Sequence, residues 1–183
     1  MKKSLFLALA LATICIMPSC KKSCLNDPEV SNNPITFGDN ERMVVTPYEN
    51  NPLVTQYGHF SWGYHVDLNG DGQNDVQFHS TSEIAGGGIL TELYCLENTA
   101  LLGENIDNEF SLLANDTNDS FDNDNIFMCT NVTLLYKDSS YFPMNDTKYI
   151  GFKLTENDPS RLGWMKVILH HDYVELLETA IQK

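Results

Sequence analysis

A short acidic segment carries an oxygen-bearing group at almost every second position. Asp67, Asn69, Asp71 and Asp75, together with the main-chain carbonyl of Gln73, can point oxygens toward a common centre. Calcium is a hard cation that takes about six to eight oxygen ligands in a flexible geometry. The segment therefore predicts a structural calcium site, with a sixth ligand from water or from elsewhere in the chain. An Asn/Gly/Asp turn that holds no ion is the alternative.

The pattern of this loop differs from that of an EF-hand. Gly72 falls where a calcium loop needs its sharp turn, because glycine adopts positive φ at little cost. Phe78, however, occupies the position at which an EF-hand supplies a bidentate glutamate. The segment is therefore a shorter Asp-x-Asn-x-Asp-Gly-x-x-Asp loop.

Alternating segments on both sides of the loop predict that a β-hairpin positions it. If Val66 pairs with Val76, Asp67 lies opposite Asp75 on the two strands. Facing carboxylates repel each other unless a cation lies between them. This repulsion is the physical reason to expect an ion at the loop.

Histidines on the same hairpin could carry a second kind of chemistry. In the predicted register His59, His65 and His79 share one face, and three converging imidazoles could hold a catalytic zinc. The chain has no His-Glu-x-x-His pattern. A metal-dependent extracytoplasmic hydrolase that uses these histidines is therefore the alternative function. The simpler interpretation is that they are ordinary polar residues on a solvated sheet face. We assign no catalytic residue.

Aromatic residues could serve a binding function. Trp62, Tyr64 and Trp164 stand at strand spacing and could stack against sugar rings, although aromatic residues in such positions more often belong to the core. A glycan or another protein is the ligand that we consider for such a surface.

Two cysteines lie in strand-like segments of the predicted domain. Cys95 and Cys129 could pair across the core, since an exported protein meets an oxidising compartment. Closing that loop would add ~3–4 kcal/mol in the chain-entropy model. The alternative is that both are free thiols that pack as small hydrophobic groups.

The start of the chain has the features of a bacterial export signal. Lys2 and Lys3 precede an apolar run, 5–17, that is shorter than the ~20 residues needed to span a bilayer. The run ends in Met-Pro-Ser before Cys20, which resembles a lipobox, where the new N-terminal cysteine is acylated. The sequence therefore predicts a signal peptide over 1–19 and a lipid-anchored tether over 20–33.

The mature protein is predicted to be a lipoprotein of the bacterial cell envelope that its acyl chains hold at the membrane, expected to be the outer one. The sequence does not determine whether it faces the periplasm or the cell surface. An ordinary cleaved signal that leaves Cys20 as a thiol is the alternative. The chain has 183 residues and a formal charge of −14 at pH 7, and the export signal carries none of the acids. Such a surface repels nucleic acid, which we exclude as a partner.

Strand signals dominate the rest of the chain and predict a single all-β domain over 34–183, an antiparallel β-sandwich of jelly-roll type. The predicted strands are 60–66, 76–79, 89–96, 126–136, 149–154 and 165–169. Residues 104–125 are rich in Asn, Asp and Ser and predict a long exposed loop. The segment 173–181 fits either a helix or a final strand.

Several short motifs, in order, resemble a family of secreted bacterial β proteins of unknown function that have a DxNxDGxxD loop. The matching pieces are the strand–loop–strand 64–78, Ala-Leu-Leu-Gly-Glu-Asn-Ile at 100–106, Tyr-Ile-Gly-Phe at 149–152, Leu-Gly-Trp-Met-Lys at 162–166 and a last strand at 174–181. Leu162 stands where the family has Tyr. The resemblance covers residue 58 to the C terminus and implies a β-sandwich with a final strand, but no activity. We therefore expect a noncatalytic, calcium-stabilised binding or envelope module.

Overall fold

The structure is a computed structural model that describes residues 33–48, 52–54, 62–83, 88–96, 98–107, 109–136, 139–155, 160–171 and 173–183. Every regular element in these residues is a β-strand, which confirms the all-β prediction. The predicted signal peptide and nearly all of the tether, including Cys20, lie outside the described residues. In the described part of the chain, no helix is long and apolar enough to cross a bilayer.

Fifteen strands are present in the described residues. They are β1 (Ile35–Thr36), β2 (Met43–Pro47), β3 (Pro52–Val54), β4 (Trp62–Val66), β5 (Val76–Glu83), β6 (Gly88–Cys95), β7 (Thr99–Ile106), β8 (Glu109–Leu112), β9 (Ser120–Phe121), β10 (Phe127–Met128), β11 (Val132–Tyr136), β12 (Ser139–Ser140), β13 (Thr147–Leu154), β14 (Arg161–Leu169) and β15 (Tyr173–Gln182).

These strands form two main antiparallel sheets and a small ribbon. The five-stranded sheet has the order β12-β11-β6-β5-β4. The larger sheet has the order β10-β7-β13-β14-β15-β2, with β8 paired to β7 and β3 paired to β15. Strands β1 and β9 pair with each other and, among the described strands, with no other. The antiparallel β-sandwich predicted from the sequence is therefore the observed architecture.

The main core lies between the two large sheets. Apolar side chains from both sheets form one buried cluster, which includes Val76, Phe78, Leu93, Leu135, Ile150, Phe152 and Val167. Successive residues of a strand point to opposite faces, so only alternate side chains of each strand reach this core. Their burial supplies the main driving force for packing the sheets together.

A second core lies on the outer face of the larger sheet. Trp164 and Tyr149 point away from the sandwich and pack with Phe37 and Phe121, which belong to the β1–β9 ribbon region. The Trp164 and Tyr149 rings meet edge to face at 5.2 Å. The larger sheet is therefore buried on both faces where this ribbon covers it.

The hairpin that carries the acidic loop has the predicted register. Strands β4 and β5 pair Val66 with Val76 and Tyr64 with Phe78. Alternation of apolar and polar residues sets this register, since a slip of one position would turn the apolar set to solvent.

The C-terminal segment is a strand rather than a helix. Strand β15 pairs with β14 along most of its length and also with β2 and β3. Its register against β14 shifts between Lys166 and Val167. This irregularity breaks the simple alternation and explains why the pattern also fitted a helix.

The prediction of a long exposed loop over 104–125 was wrong in part. This segment contains the end of β7, the strand β8 and the whole of the ribbon strand β9. Phe121 is 3% exposed, and its ring stacks on Phe37 at 4.8 Å. The polar composition of the segment gave no indication that Phe121 would be buried against Phe37, a residue distant in the sequence.

Candidate functional site

The acidic loop leaves β4 and returns to β5 through two glycines with positive φ. Gly70 has φ +78° and Gly72 has φ +89°, and no heavy atom lies within 4 Å of a Cβ built at either position. Space is therefore available for a side chain, and the backbone conformation is what favours glycine. The turn that the sequence assigned to Gly72 is present.

Asp67 is the centre of the loop's hydrogen bonds. Its Oδ1 accepts N–H groups from Asn69 (3.2 Å), Gly70 (2.7 Å) and Asp71 (3.3 Å). Its Oδ2 accepts the N–H of Gly72 at 2.7 Å. The converging amides wrap the backbone of the loop around this carboxylate.

Two further side chains of the loop lie against each other. Asn69 Oδ1 accepts the Asp71 N–H at 2.8 Å, and Asn69 Nδ2 donates to Asp71 Oδ2 at 3.1 Å. Asp71 Oδ1 accepts the N–H of Gln73 at 2.7 Å. These local bonds order the exposed tip of the loop and gather the oxygens of Asn69 and Asp71 beside the Asp67 carboxylate.

Asp75 lies under the loop and is 3% exposed. Its Oδ2 accepts the Leu68 N–H at 2.6 Å, and its own N–H donates to Val66 O at 2.8 Å. Burial raises the pKa of Tyr48, with smaller contributions from Tyr64, Asp67 and Asp75. Tyr48, which follows β2, packs against the core cluster that includes Val66 and Leu68, and no local motif could have indicated this contact.

The loop fits a calcium ion in part. Hard oxygen donors from Asp67, Asn69 and Asp71 lie together, and an ion would replace the Asn69 amide as the partner of Asp71 Oδ2. In the described residues, however, no three His, Cys, Asp or Glu side chains form a cluster able to hold a metal. The hydrogen bonds would also close the loop without an ion, so calcium would add to a fold that already exists.

A shallow cleft of about 380 Å³ lies beside the loop. Its lining includes His65, Gln73, Asn74 and Asp75. Of the three histidines proposed for a hydrolase, His65 lines this cleft and His59 lies outside the described residues.

His79 has a different set of neighbours on the adjoining strands. Its ring meets Tyr94 edge to face at 5.5 Å, and its Nδ1 lies 3.8 Å from Glu92 Oε2. Tyr94 donates to the same Glu92 carboxylate at 2.6 Å, and this hydrogen bond raises the pKa of Tyr94 to about 12. The contacts described for His79 are therefore with Tyr94 and Glu92 on the neighbouring strand β6, and the hydrolase hypothesis gains no support from them.

The two cysteines of the domain lie side by side as thiols. Cys95 ends β6 in the smaller sheet, and Cys129 follows β10 in the larger sheet. Burial first, and then the neighbouring Cys129 thiol, raise the pKa of Cys95 to about 11. The Cys95 thiol also donates to Met128 O at 3.9 Å. The disulfide between Cys95 and Cys129 stays a prediction.

The aromatic platform suggested for sugar stacking is not present in the described residues. Trp164 is 0% exposed and belongs to the outer core, while Tyr64 packs against the main core. Strand alternation places these rings on buried faces of different sheets. The side chain of Trp62 lies outside the described residues.

Comparison with known proteins finds no matching family model, no similar curated protein and no similar solved structure. The fold and the site define the class: an antiparallel β-sandwich with an Asp-centred loop on one hairpin. The resemblance to secreted β proteins with such a loop stays a prediction.

Proposed function

We propose that this protein is a noncatalytic binding module of the bacterial cell envelope, stabilised by calcium at the Asp67–Asp75 loop and anchored to the membrane, expected to be the outer one, through a lipid on Cys20. The observation that supports the calcium part is the clustering of side-chain oxygens in the loop, where Asp67 Oδ1 and Asn69 Oδ1 both accept the Asp71 N–H. The export signal supports the envelope location, and the two-sheet scaffold supports a rigid binding surface.

Calcium would act on stability rather than on chemistry. The loop connects β4 and β5 at one edge of the smaller sheet, and Asp75 beneath it is buried. An ion there would offset the repulsion between Asp67, Asp71 and Asp75 and tighten the edge hairpin. It would therefore stabilise the native state without contacting any reacting group.

Thermal unfolding in calcium tests this role directly. An ion that binds only the native state at 100 times its Kd adds ~2.7 kcal/mol to the free energy of unfolding. For a domain of this size that should raise Tm by roughly 5–10 °C. The measurement is a melt of the full chain followed by circular dichroism, in millimolar calcium and in excess EDTA.

Variants of the loop separate binding from a general salt effect. Asp71→Ala should abolish the calcium-dependent rise, while Asn74→Ala, in the same exposed loop but outside the assigned ligands, should retain it. A Tm that is the same in calcium and EDTA for the unaltered chain would refute the ion site and leave the segment as a plain turn.

The lipid anchor makes a separate prediction. Acyl chains contribute ~0.8 kcal/mol for each methylene buried in the bilayer, so two or more chains hold a protein stably. In bacterial cells Cys20→Ala should move the protein to the soluble fraction and remove the added acyl mass. Cys24→Ala is the matched control and should stay in the membrane fraction. Unchanged fractionation and mass for Cys20→Ala would contradict the lipidation hypothesis.

A further inference from the structure

We propose that the trough between β8 and β11 is the ligand site of this module and that it takes an uncharged oligosaccharide. This inference rests on the proposed binding function and names its ligand class. The trough has a volume of about 680 Å³, within the range of small-molecule and glycan sites. It lies far along the chain from the aromatic residues that the sequence suggested for sugar stacking.

The trough concentrates the exposed apolar surface of the described residues. Six large hydrophobic residues are substantially exposed in the described part of the chain. Three of them border this trough: Ile106, Tyr136 and Tyr141. Tyr141 is the most exposed, at 68%. Single exposed apolar residues are ordinary, but a group around one concave surface marks an interaction site.

A β-bulge holds Tyr141 at the rim. The register of β11 against β6 shifts between Thr133 and Leu135, so the intervening Leu134 is an extra residue. Its carbonyl accepts the Tyr141 N–H at 3.0 Å. Bulges re-aim side chains and are frequent next to functional sites.

Phe142, the residue after Tyr141, also restrains the Tyr141 backbone. Phe142 is 2% exposed and belongs to the main core, and Ser140 Oγ hydrogen-bonds its carbonyl. The backbone of Tyr141 is thus held on both sides while its ring stays in solvent. A backbone position fixed in advance reduces the conformational entropy that is lost when a ligand stacks on its side chain.

The chemistry of the lining favours a neutral sugar. Tyrosine rings present a negative face to the C–H groups of a pyranose. The polar side chains of Asn131 and Thr133 can exchange hydrogen bonds with sugar hydroxyls, and Asp107 and Glu109 can accept them. The described lining contains these two acids and no lysine or arginine, so it disfavours anionic ligands. Lys137, which follows Tyr136, lies outside the described residues.

The test is binding of the full chain to uncharged soluble polysaccharides. A β-glucan, a galactomannan and a xylan are the probes, with polygalacturonate as the anionic comparison, in affinity electrophoresis followed by calorimetry. Tyr141→Ala should weaken binding about tenfold, which corresponds to about 1.4 kcal/mol, because the ligand would lose its stacking partner. Tyr141→Phe keeps the ring and should bind within a few-fold of the unaltered chain. Val44→Ala, an exposed residue on β2 away from the trough, is the matched control.

The outcomes separate this inference from the proposed function. Binding of a neutral polysaccharide that survives both Tyr141→Ala and Tyr136→Ala would overturn the trough as its site, while the module would still be a binding protein. If the neutral probes do not bind, or if polygalacturonate binds as tightly as they do, the ligand class is wrong. The calcium-dependent rise in Tm does not involve Tyr141. Failure of the polysaccharide-binding prediction would therefore not contradict the calcium prediction, and the reverse also holds.

Discussion

Replacing Trp164 with alanine should lower the free energy of unfolding by ~3–5 kcal/mol, the range for removing a large aromatic side chain from a core. Trp164 is 0% exposed and packs edge to face on Tyr149. It lies in β14 at the centre of the outer core, so the cavity left behind would open between the larger sheet and the β1–β9 ribbon. Urea unfolding followed by far-ultraviolet circular dichroism measures the loss.

Trp164→Phe is the matched control for this cavity. The indole Nε1 is buried and finds no hydrogen-bond acceptor among the described residues. Burying such a donor costs ~1–3 kcal/mol, so removing it offsets part of the lost packing. The phenylalanine variant should therefore lose less than half as much stability as the alanine variant. A loss below about 1 kcal/mol for Trp164→Ala would mean that the ribbon does not pack on the sheet as described.

Oxidation of Cys95 and Cys129 to a disulfide should stabilise the exported protein by ~3–4 kcal/mol in the chain-entropy model. The bond would join the end of β6 in one sheet to the residue after β10 in the other. Each thiol gives up one hydrogen to an oxidant of the thiol–disulfide class in the compartment. Intact mass should be lower by two hydrogens than that of the reduced chain, and reduction should restore both the mass and the lower stability.

The assay must account for the chemistry of Cys95. Because burial and the adjacent Cys129 thiol raise the pKa of Cys95 to about 11, little thiolate is present at neutral pH. Weak alkylation of Cys95 in the native protein would therefore not distinguish a disulfide from a buried thiol, so alkylation has to be done in denaturant.

Serine variants complete the test of this bond. Cys95→Ser and Cys129→Ser should each remove the stabilisation, and the double variant should lose no more than either one. Cys24→Ser, in the predicted tether, should leave the stability unchanged. Full alkylation of Cys95 and Cys129 in unreduced, denatured protein would show that they are free thiols.

Local pattern was enough to predict the hairpin that carries the acidic loop. Alternation on both sides, the acids between them and the turn glycine predicted the pairing of Val66 with Val76, which the structure has. Short-range signals of this kind are reliable because the two strands and their turn are consecutive.

Longer-range features needed the tertiary structure. The outer core depends on Phe121 meeting Phe37 and on the pairing of Ile35 with Phe121. The two segments are far apart in the sequence, and the residues next to them in the chain are mostly polar. No local hydrophobic periodicity therefore marks them. For the same reason Trp164 could be taken for a surface platform, since a strand buried on both faces has no polar face to identify its orientation.

The candidate sites divide in the same way. The residue types and spacing of the Asp67–Asp75 segment were sufficient to propose a cation loop, but the convergence of amides on Asp67 and the packing of Tyr48 against the core depend on the folded backbone. The trough beside Tyr141 had no sequence signal, because it is made by a bulge at Leu134 and by strands from two different sheets.

By itself, then, the sequence determined the all-β class, the register of the loop hairpin and the chemical types of its side chains, because these depend on neighbours in the chain. Only the tertiary structure decided that the larger sheet is covered on both faces, that Cys95 and Cys129 are neighbours, and that Tyr141 stands at the rim of a trough. Those features arise from contacts between residues distant in sequence, whose pairing is selected by the packing of the whole domain.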